Sequence, residues 1–163
     1  MKKFIVLIAL VLAGVSVEAQ DDRVHEVKLD AVYLFTGTIK ADYEYLLGDY
    51  MTAGGSVLFN FYSKNPVSKA HVLGLFRIYL GDKNDNQLSG LYFEGNLGLH
   101  AGQGLDFKGD SYSAFGMGLA AGYKWVFPKP GLTIDLYGGI GRLFDKEEGG
   151  FYPRVGACIG KRF

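Results

Sequence analysis

Apolar and polar residues alternate along most of the chain, beginning shortly after its first twenty positions. In the stretch LYFEGNLGL, residues 91–99, each odd position holds an apolar residue or glycine, and the even positions include Glu94 and Asn96. Successive side chains of a β-strand point to opposite faces of a sheet, so this period of two predicts a strand with one apolar face. The same pattern predicts seven more strands, over residues 27–35, 39–47, 53–61, 72–80, 115–125, 132–140 and 155–163.

Charged residues gather on the face opposite the apolar one. They are Asp30, Asp42, Glu44, Glu94 and Asp135 together with Lys28, Lys40, Arg77, Lys124, Arg154 and Arg162. The apolar face is bulky and aromatic, and it carries no charge across its middle. The interior of an eight-stranded barrel is just wide enough for side chains to fill. Glycines and paired opposite charges suit that narrow interior, which leaves the bulky apolar face for lipid.

Strand length and number agree with a membrane barrel. Each predicted strand has about nine residues, enough to cross a bilayer at a tilt. An even strand number places both chain ends on one side, as in bacterial outer-membrane barrels. The pattern predicts an all-β fold, an eight-stranded, antiparallel, up-and-down transmembrane β-barrel with a filled interior. The alternative is a soluble lipocalin-like carrier of a small lipophile, with the apolar face turned inward.

The first nineteen residues have the layout of a secretory signal peptide. Lys2 and Lys3 precede an apolar run over residues 4–15, and Val17 and Ala19 supply the small residues of a cleavage site. The run is shorter than the ~20 residues of a membrane-spanning helix. We expect cleavage near Ala19, so that residues 1–19 are removed and residues 20–163 form one barrel domain in the bacterial outer membrane.

The net charge and the cysteine content bear on possible binding partners and on disulfide bonds. Lys plus Arg and Asp plus Glu both number 17, and this zero net charge does not favour a nucleic-acid partner. Cys158 is the single cysteine and cannot form an intramolecular disulfide. It shares the phase of the charged face, which predicts a small buried packing residue rather than a redox site.

Candidate chemistry is sparse. His100 with Ser113 and Asp110 would suit a lipid-modifying enzyme, an acyl hydrolase or transferase, if nucleophile and base came within hydrogen-bond reach. The phase opposes this pairing, because His100 shares the interior face with Glu94 and Ser113 shares the phase of the lipid-facing Phe115. The interior charges can form an ion-paired plug or an ion path, and eight strands favour the plug.

The remaining motifs predict no catalytic, cofactor or metal site. His25 and His71 have no ligand spacing with each other or with His100. The glycines of residues 138–141, and the GxxxG of Gly118 and Gly122, lie in strands, whereas a phosphate loop needs a following helix. The segment of residues 143–150, which contains three acidic residues, indicates a solvated loop. The alternative is that it binds a cation at the surface.

The lengths of the connections predict which end of the barrel faces outwards and which faces the periplasm, with two exceptions. Residues 62–69, 101–113 and 143–150 form the long connections expected outside, and residues 127–132 form a short periplasmic turn. However, residues 36–38 would make a very short outer loop, and residues 81–90 a long periplasmic one.

Four segments carry a family resemblance: FRIYLG (76–81), SGLYFEGNLGLHAG (89–102), GLAAGYKWVF (118–127) and PRVGACIGKRF (153–163). The chain resembles small, mostly uncharacterised outer-membrane β-barrel proteins of Gram-negative bacteria, with a domain of unknown function, and more broadly the OmpA and OmpX type of eight-stranded barrel. The resemblance implies that the barrel-assembly machinery reads the terminal aromatic residue, Phe163. It brings no established activity. We therefore expect a non-catalytic protein of the envelope, with outer-membrane lipid as its surroundings and its outer loops available for surface interaction.

Overall fold

A computed structural model describes residues 24–61, 69–80, 88–103, 111–127, 131–144 and 150–163. Its elements are β1 (His25–Asp30), α1 (Ala31–Phe35), β2 (Thr38–Leu46), β3 (Met51–Asn60), β4 (Ala70–Tyr79), β5 (Gly90–Gln103), β6 (Ser111–Phe127), β7 (Leu132–Phe144) and β8 (Phe151–Arg162). Each strand pairs antiparallel with the next, and β1 pairs with β8 to close the barrel. The predicted all-β, eight-stranded up-and-down barrel is confirmed, and its insertion in a bilayer stays a prediction.

The two predicted faces of the strands are the inside and the outside of this barrel. In β6, Leu119 is 72% exposed on the outside, and its neighbour Ala120 is 6% exposed on the inside. Lys124 further along the same strand is fully buried in the interior, while Trp125 is exposed. Large apolar side chains thus cover the outer surface, whereas the inside contains the charged and small side chains together with several leucines and tyrosines, such as Leu73, Leu75 and Tyr92.

The first predicted strand, residues 27–35, is wrong in its second half. β1 ends at Asp30, and α1 follows at once. The Asp30 side chain ends the strand, because its Oδ1 accepts hydrogen bonds from the backbone N–H groups of Val32 (3.0 Å) and Tyr33 (3.4 Å) and so caps the helix. Gly37, with φ 75°, then turns the chain into β2.

This helix also removes one anomaly of the predicted loop lengths. The connection from β1 to β2 comprises residues 31–37 rather than the three residues 36–38. The other exception, residues 81–90, lies mostly outside the described residues, as do the signal-peptide segment 1–19 and most of the predicted long outer loops.

The helix stands where the barrel wall lacks a strand. Pairing between β1 and β8 stops at Asp30–Cys158. Pairing between β1 and β2 likewise stops at Leu29–Ala41. Beyond these pairs α1 packs against both β2 and β8. It therefore takes the place of the wall between them.

The two ends of the barrel are distinct. At the terminal end, the backbones of His25 and Phe163 exchange hydrogen bonds of 3.0 and 2.8 Å. Tyr123 and Trp125 pack together near this end, with ring centroids 4.6 Å apart. At the opposite end, called the loop end here, Phe59 lies on the outer surface. Among the described residues, no helix is long and apolar enough to cross a membrane.

Two glycines of neighbouring strands test how tightly the interior is filled. A Cβ on Gly156 would lie 2.1 Å from Asp30 Oδ2 and 2.2 Å from the Tyr137 hydroxyl, whereas one on Gly138 would meet nothing within 4 Å. We expect Gly156→Ala to lower the free energy of unfolding by about 1–3 kcal/mol through overpacking. Gly138→Ala, the matched control, should change it by less than about 0.5 kcal/mol. Urea titration of both variants in detergent, followed by circular dichroism, measures the difference, and equal values would contradict a filled interior.

Candidate functional site

The interior holds a network of buried charges. Among the described residues, six acidic and six basic side chains are at most 4% exposed. This interior network consists of Glu26, Asp30, Asp42, Glu44, Glu94, Asp135, Lys28, Lys40, Arg77, Lys124, Arg154 and Arg162. Every member except Glu26 was predicted from the alternation. Glu26 precedes the predicted start of the first strand by one residue, although its even position gives it the phase of Lys28.

Arg77 occupies the centre of the network. Its Nε donates to Glu94 Oε2 at 2.8 Å, and its Nη1 donates to Asp135 Oδ2 at 3.2 Å and also to Glu44. The guanidinium carbon lies 4.7 Å from the centroid of the Tyr92 ring. One cation therefore joins carboxylates from three strands, β2, β5 and β7.

Lysines extend the network towards the terminal end. Lys124 Nζ donates to Glu44 Oε2 at 2.6 Å and to Glu26 Oε2 at 3.2 Å. Lys28 Nζ donates to Glu44 Oε1 at 2.8 Å and to Asp135. Arg162 Nη2 reaches Glu26 Oε2 at 2.9 Å.

The equal numbers of acidic and basic groups give the network a formal charge of zero, and each basic group touches at least one carboxylate. A charge in a low-dielectric interior is tolerated when it is paired and hydrogen-bonded. The arrangement has the form of the ion-paired plug that the sequence favours over an ion path.

Above the network, towards the loop end, the interior contains a cavity of about 260 Å³. This loop-end cavity is lined by Tyr33, Thr38, Leu58, Asn60, His71, His100, Tyr112, Tyr152, Pro153 and Arg154. The lining is mainly polar and aromatic, and it draws on α1 and on six of the eight strands. Tyr33, which the alternation assigned to the lipid face, lines the cavity because α1 breaks the phase of the strand.

Two histidines meet at this cavity. The register of β4 and β5 places His71 directly opposite His100, with ring centroids 5.4 Å apart. The His71 Nε2 lies 3.4 Å from the Ser56 hydroxyl, and the His100 ring lies 4.5 Å from the ring of Tyr152. Sequence spacing did not predict this pair, since 29 residues separate the two histidines and only the strand register brings them together.

The structure does not bring the candidate catalytic residues together. Ser113 is opposite Ala101 and exposed on the outer surface, whereas His100 is opposite Ala114 and 4% exposed in the interior. The barrel wall therefore separates nucleophile from base. Asp110, the third member, lies outside the described residues.

The other singled-out residues lie apart from the cavity. Cys158 is 1% exposed in the interior, with its Sγ 3.7 Å from Asp30 Oδ2. His25 is at the terminal end, where its Nδ1 is 2.7 Å from the Tyr43 hydroxyl. Within the described ranges, no group of three or more His, Cys, Asp or Glu side chains is placed to hold a metal ion.

A family model described as "Protein of unknown function (DUF3575)" matches residues 5–152. Among solved structures, the N-terminal β-barrel domain of Pseudomonas aeruginosa OprF is similar, with 13% identity and a TM-score of 0.49 over 87% of this chain and 98% of that chain. No curated protein matches the sequence.

Proposed function

We propose that this chain, which belongs to the DUF3575 family of proteins of unknown function, spans the bacterial outer membrane as a non-catalytic barrel of the cell envelope. In this role the barrel is an anchor, and the connections at the loop end are available for surface contacts. The observation that carries the proposal is the polarity of the barrel, which has its charges inside and its large apolar side chains outside.

The outer surface supports a lipid environment. Leu119, Phe93 and Leu97 are each more than half exposed near the middle of their strands. Soluble monomers rarely expose contiguous apolar patches larger than a few hundred Å². Closed barrels are, in addition, one of the two architectures that satisfy every backbone hydrogen bond within hydrocarbon. Lipid contact explains why these side chains remain outside.

A soluble lipophile carrier receives no support from the interior. Such a carrier needs an apolar cavity, whereas Lys28, Glu44 and Arg77 occupy the centre of this barrel. The loop-end cavity is lined largely by polar and aromatic groups, including Arg154 and two histidines. A lipid-modifying enzyme is not supported either, because Ser113 and His100 lie on opposite sides of the wall.

Export and assembly complete the proposal. The signal peptide, residues 1–19, would direct the chain out of the cytoplasm, and residues 20–163 would form the barrel domain. The barrel-assembly machinery would recognise Phe163 before closure. Within the closed barrel its ring stacks on His25, with centroids 6.0 Å apart.

Spin labels at Phe93 and Leu119 test the lipid contact, in a Cys158→Ala background so that one thiol reacts. In reconstituted vesicles we expect both labels to collide more often with dissolved oxygen, which concentrates in hydrocarbon, than with a water-soluble nickel chelate. A label at Asp49, in the exposed turn after β2, is the matched control and should show the reverse. Labels at Phe93 and Leu119 that favour the nickel chelate would reject membrane insertion. Recovery of the native protein in the membrane fraction of cells, with heat-modifiable migration on gels, should accompany the expected result.

A further inference from the structure

The loop-end cavity contains two buried polar atoms without a partner in the part of the chain that the structure describes. They are His100 Nε2 and Arg154 Nη2, on side chains that are 4% and 3% exposed. Both side chains line the same cavity. Buried polar atoms without hydrogen bonds are rare in folded proteins, and each calls for a functional or ligand-based reason.

Arg154 is held in place from one side. Its Nε donates to Glu94 Oε1 at 2.6 Å, and its guanidinium carbon lies 5.3 Å from the centroid of the Tyr137 ring. Glu94 is also bound by Arg77, so one carboxylate serves two guanidinium groups. The guanidinium of Arg154 is therefore oriented, while its Nη2 is left to donate to another group.

The aromatic surroundings fix His100. Its ring lies against Tyr152 at 4.5 Å and His71 at 5.4 Å between centroids. A Cβ on Gly116 would come within 2.9 Å of the His100 ring, so any larger residue there would displace the imidazole from its present place. The Tyr152 hydroxyl donates to Asn96 Oδ1 at 2.9 Å, which holds the neighbouring ring. A site whose side chains are already positioned loses less entropy when it binds.

The positive charge of the cavity lining favours an anionic ligand. Among the lining residues, Arg154 carries the one formal charge when the histidines are neutral. Guanidinium groups match the geometry of carboxylate and phosphate oxygens. The volume of 260 Å³ equals that of about eight or nine liquid water molecules, which admits a small anion or a headgroup but not a whole lipid.

We propose that the loop-end cavity binds one phosphate or carboxylate group, which Arg154 Nη2 and His100 Nε2 recognise directly. The group can belong to a free solute or to the headgroup of an anionic lipid. A lipid headgroup could reach the cavity beside α1, which replaces the wall there: Tyr33 lines the inside, whereas the adjacent Val32 is 45% exposed on the outside. The cavity is a property of the fold, so a failure to bind anions would leave the membrane proposal standing.

The three histidines of the chain provide the readout, since His71 and His100 line the cavity and His25 lies at the opposite end. The folded barrel in non-ionic detergent is titrated at constant ionic strength and pH, and the imidazole carbon-bound protons are followed by NMR. The probes are sodium phosphate, sodium acetate and short-chain phosphatidic acid, with a short-chain diacylglycerol as the lipid that lacks an anionic group. His71→Gln and His100→Gln assign the signals.

We expect a saturable shift of the His100 signal, with or without His71, and none of His25. Saturation with phosphate or acetate indicates a soluble anion. Saturation with phosphatidic acid alone indicates a headgroup, and either outcome supports the site. Arg154→Lys retains the charge beside Glu94 but removes Nη2, and it should weaken binding at least tenfold. Arg162→Lys, the same replacement in β8 at the terminal end, should leave the affinity unchanged.

Three results would overturn the proposal. The first is the absence of a saturable shift of His100 with any anion up to about 10 mM. The second is an equal shift of all three histidines, which reports a bulk effect. The third is equal weakening by Arg154→Lys and Arg162→Lys while both variants keep heat-modifiable migration, because binding would then not depend on Arg154.

Discussion

Arg77→Met is expected to lower the free energy of unfolding by about 3–5 kcal/mol, because it leaves buried carboxylates without their shared cation. Arg77 donates to Glu44, Glu94 and Asp135, and its side chain is fully buried. Methionine has a similar length, so the loss reflects uncompensated charge more than a cavity. Reversible urea unfolding in detergent, followed by circular dichroism and by heat-modifiable migration, measures the change.

Arg142→Met provides the matched control for this experiment. Arg142 lies on the outer face of β7, where its guanidinium carbon is 5.7 Å from the centroid of the Phe144 ring. An exposed substitution of this kind should alter the free energy of unfolding by about 0.5 kcal/mol or less. If Arg77→Met and Arg142→Met have equal effects, the interior network does not stabilise the barrel in the way its contacts indicate.

Leu119→Arg is expected to lower the free energy of unfolding from lipid vesicles by about 2–4 kcal/mol, the cost of a cation at the bilayer midplane. Leu119 is the middle residue of β6 and is 72% exposed on the outer surface. The measurement is urea-induced unfolding of the reconstituted barrel, followed by the fluorescence of Trp125, the single tryptophan.

Phe127→Arg, on the same face at the terminal end of β6, is the depth control. A cation near the interface should lower the free energy of unfolding by only about 0–1 kcal/mol, because its side chain reaches water. A gradient between the two positions indicates a hydrocarbon slab around the barrel. Equal costs at Leu119 and Phe127, or no cost at either, would contradict the proposed membrane location.

The fold was predictable because the two faces of each strand meet different surroundings. In β6 the outer positions, such as Leu119, are apolar, as the proposed lipid contact requires, and the inner positions, such as Ala120, Gly122 and Lys124, are small or charged, as a narrow lumen with ion pairs requires. Outer and inner positions alternate along each strand, so both requirements produce the same period of two in the sequence. The interior network followed from the same alternation, except for Glu26 at the edge of the first strand.

The helix α1 was missed because two local signals compete at the same residues. Asp30 is a favourable helix cap and Gly37 a favourable residue after a helix, which together indicate a helix between them. The alternation of residues 27–35 indicates a strand. The helix prevails because the Asp30 carboxylate also accepts a hydrogen bond of 2.6 Å from the Tyr137 hydroxyl inside the barrel, a contact that sequence alone does not show.

The loop-end cavity could not be predicted for a related reason. It depends on the register that places His71 opposite His100 and on Gly116, which leaves room for the imidazole. Register is determined by the pairing of strands along their whole length, whereas alternation gives only the face to which a side chain points. The sequence therefore identified His100 as an interior residue but not its neighbours.

The short first strand has a consequence for how the barrel folds. β1 has only six residues, yet its side chains reach far across the lumen: Lys28 contacts Asp135 of β7, and Glu26 contacts Lys124 of β6. A sheet of seven strands that lacked β1 would leave Lys124 and Asp135 with fewer partners in a low-dielectric space. Such a species is penalised relative to the complete barrel, so closure and ion pairing should occur in a single cooperative step.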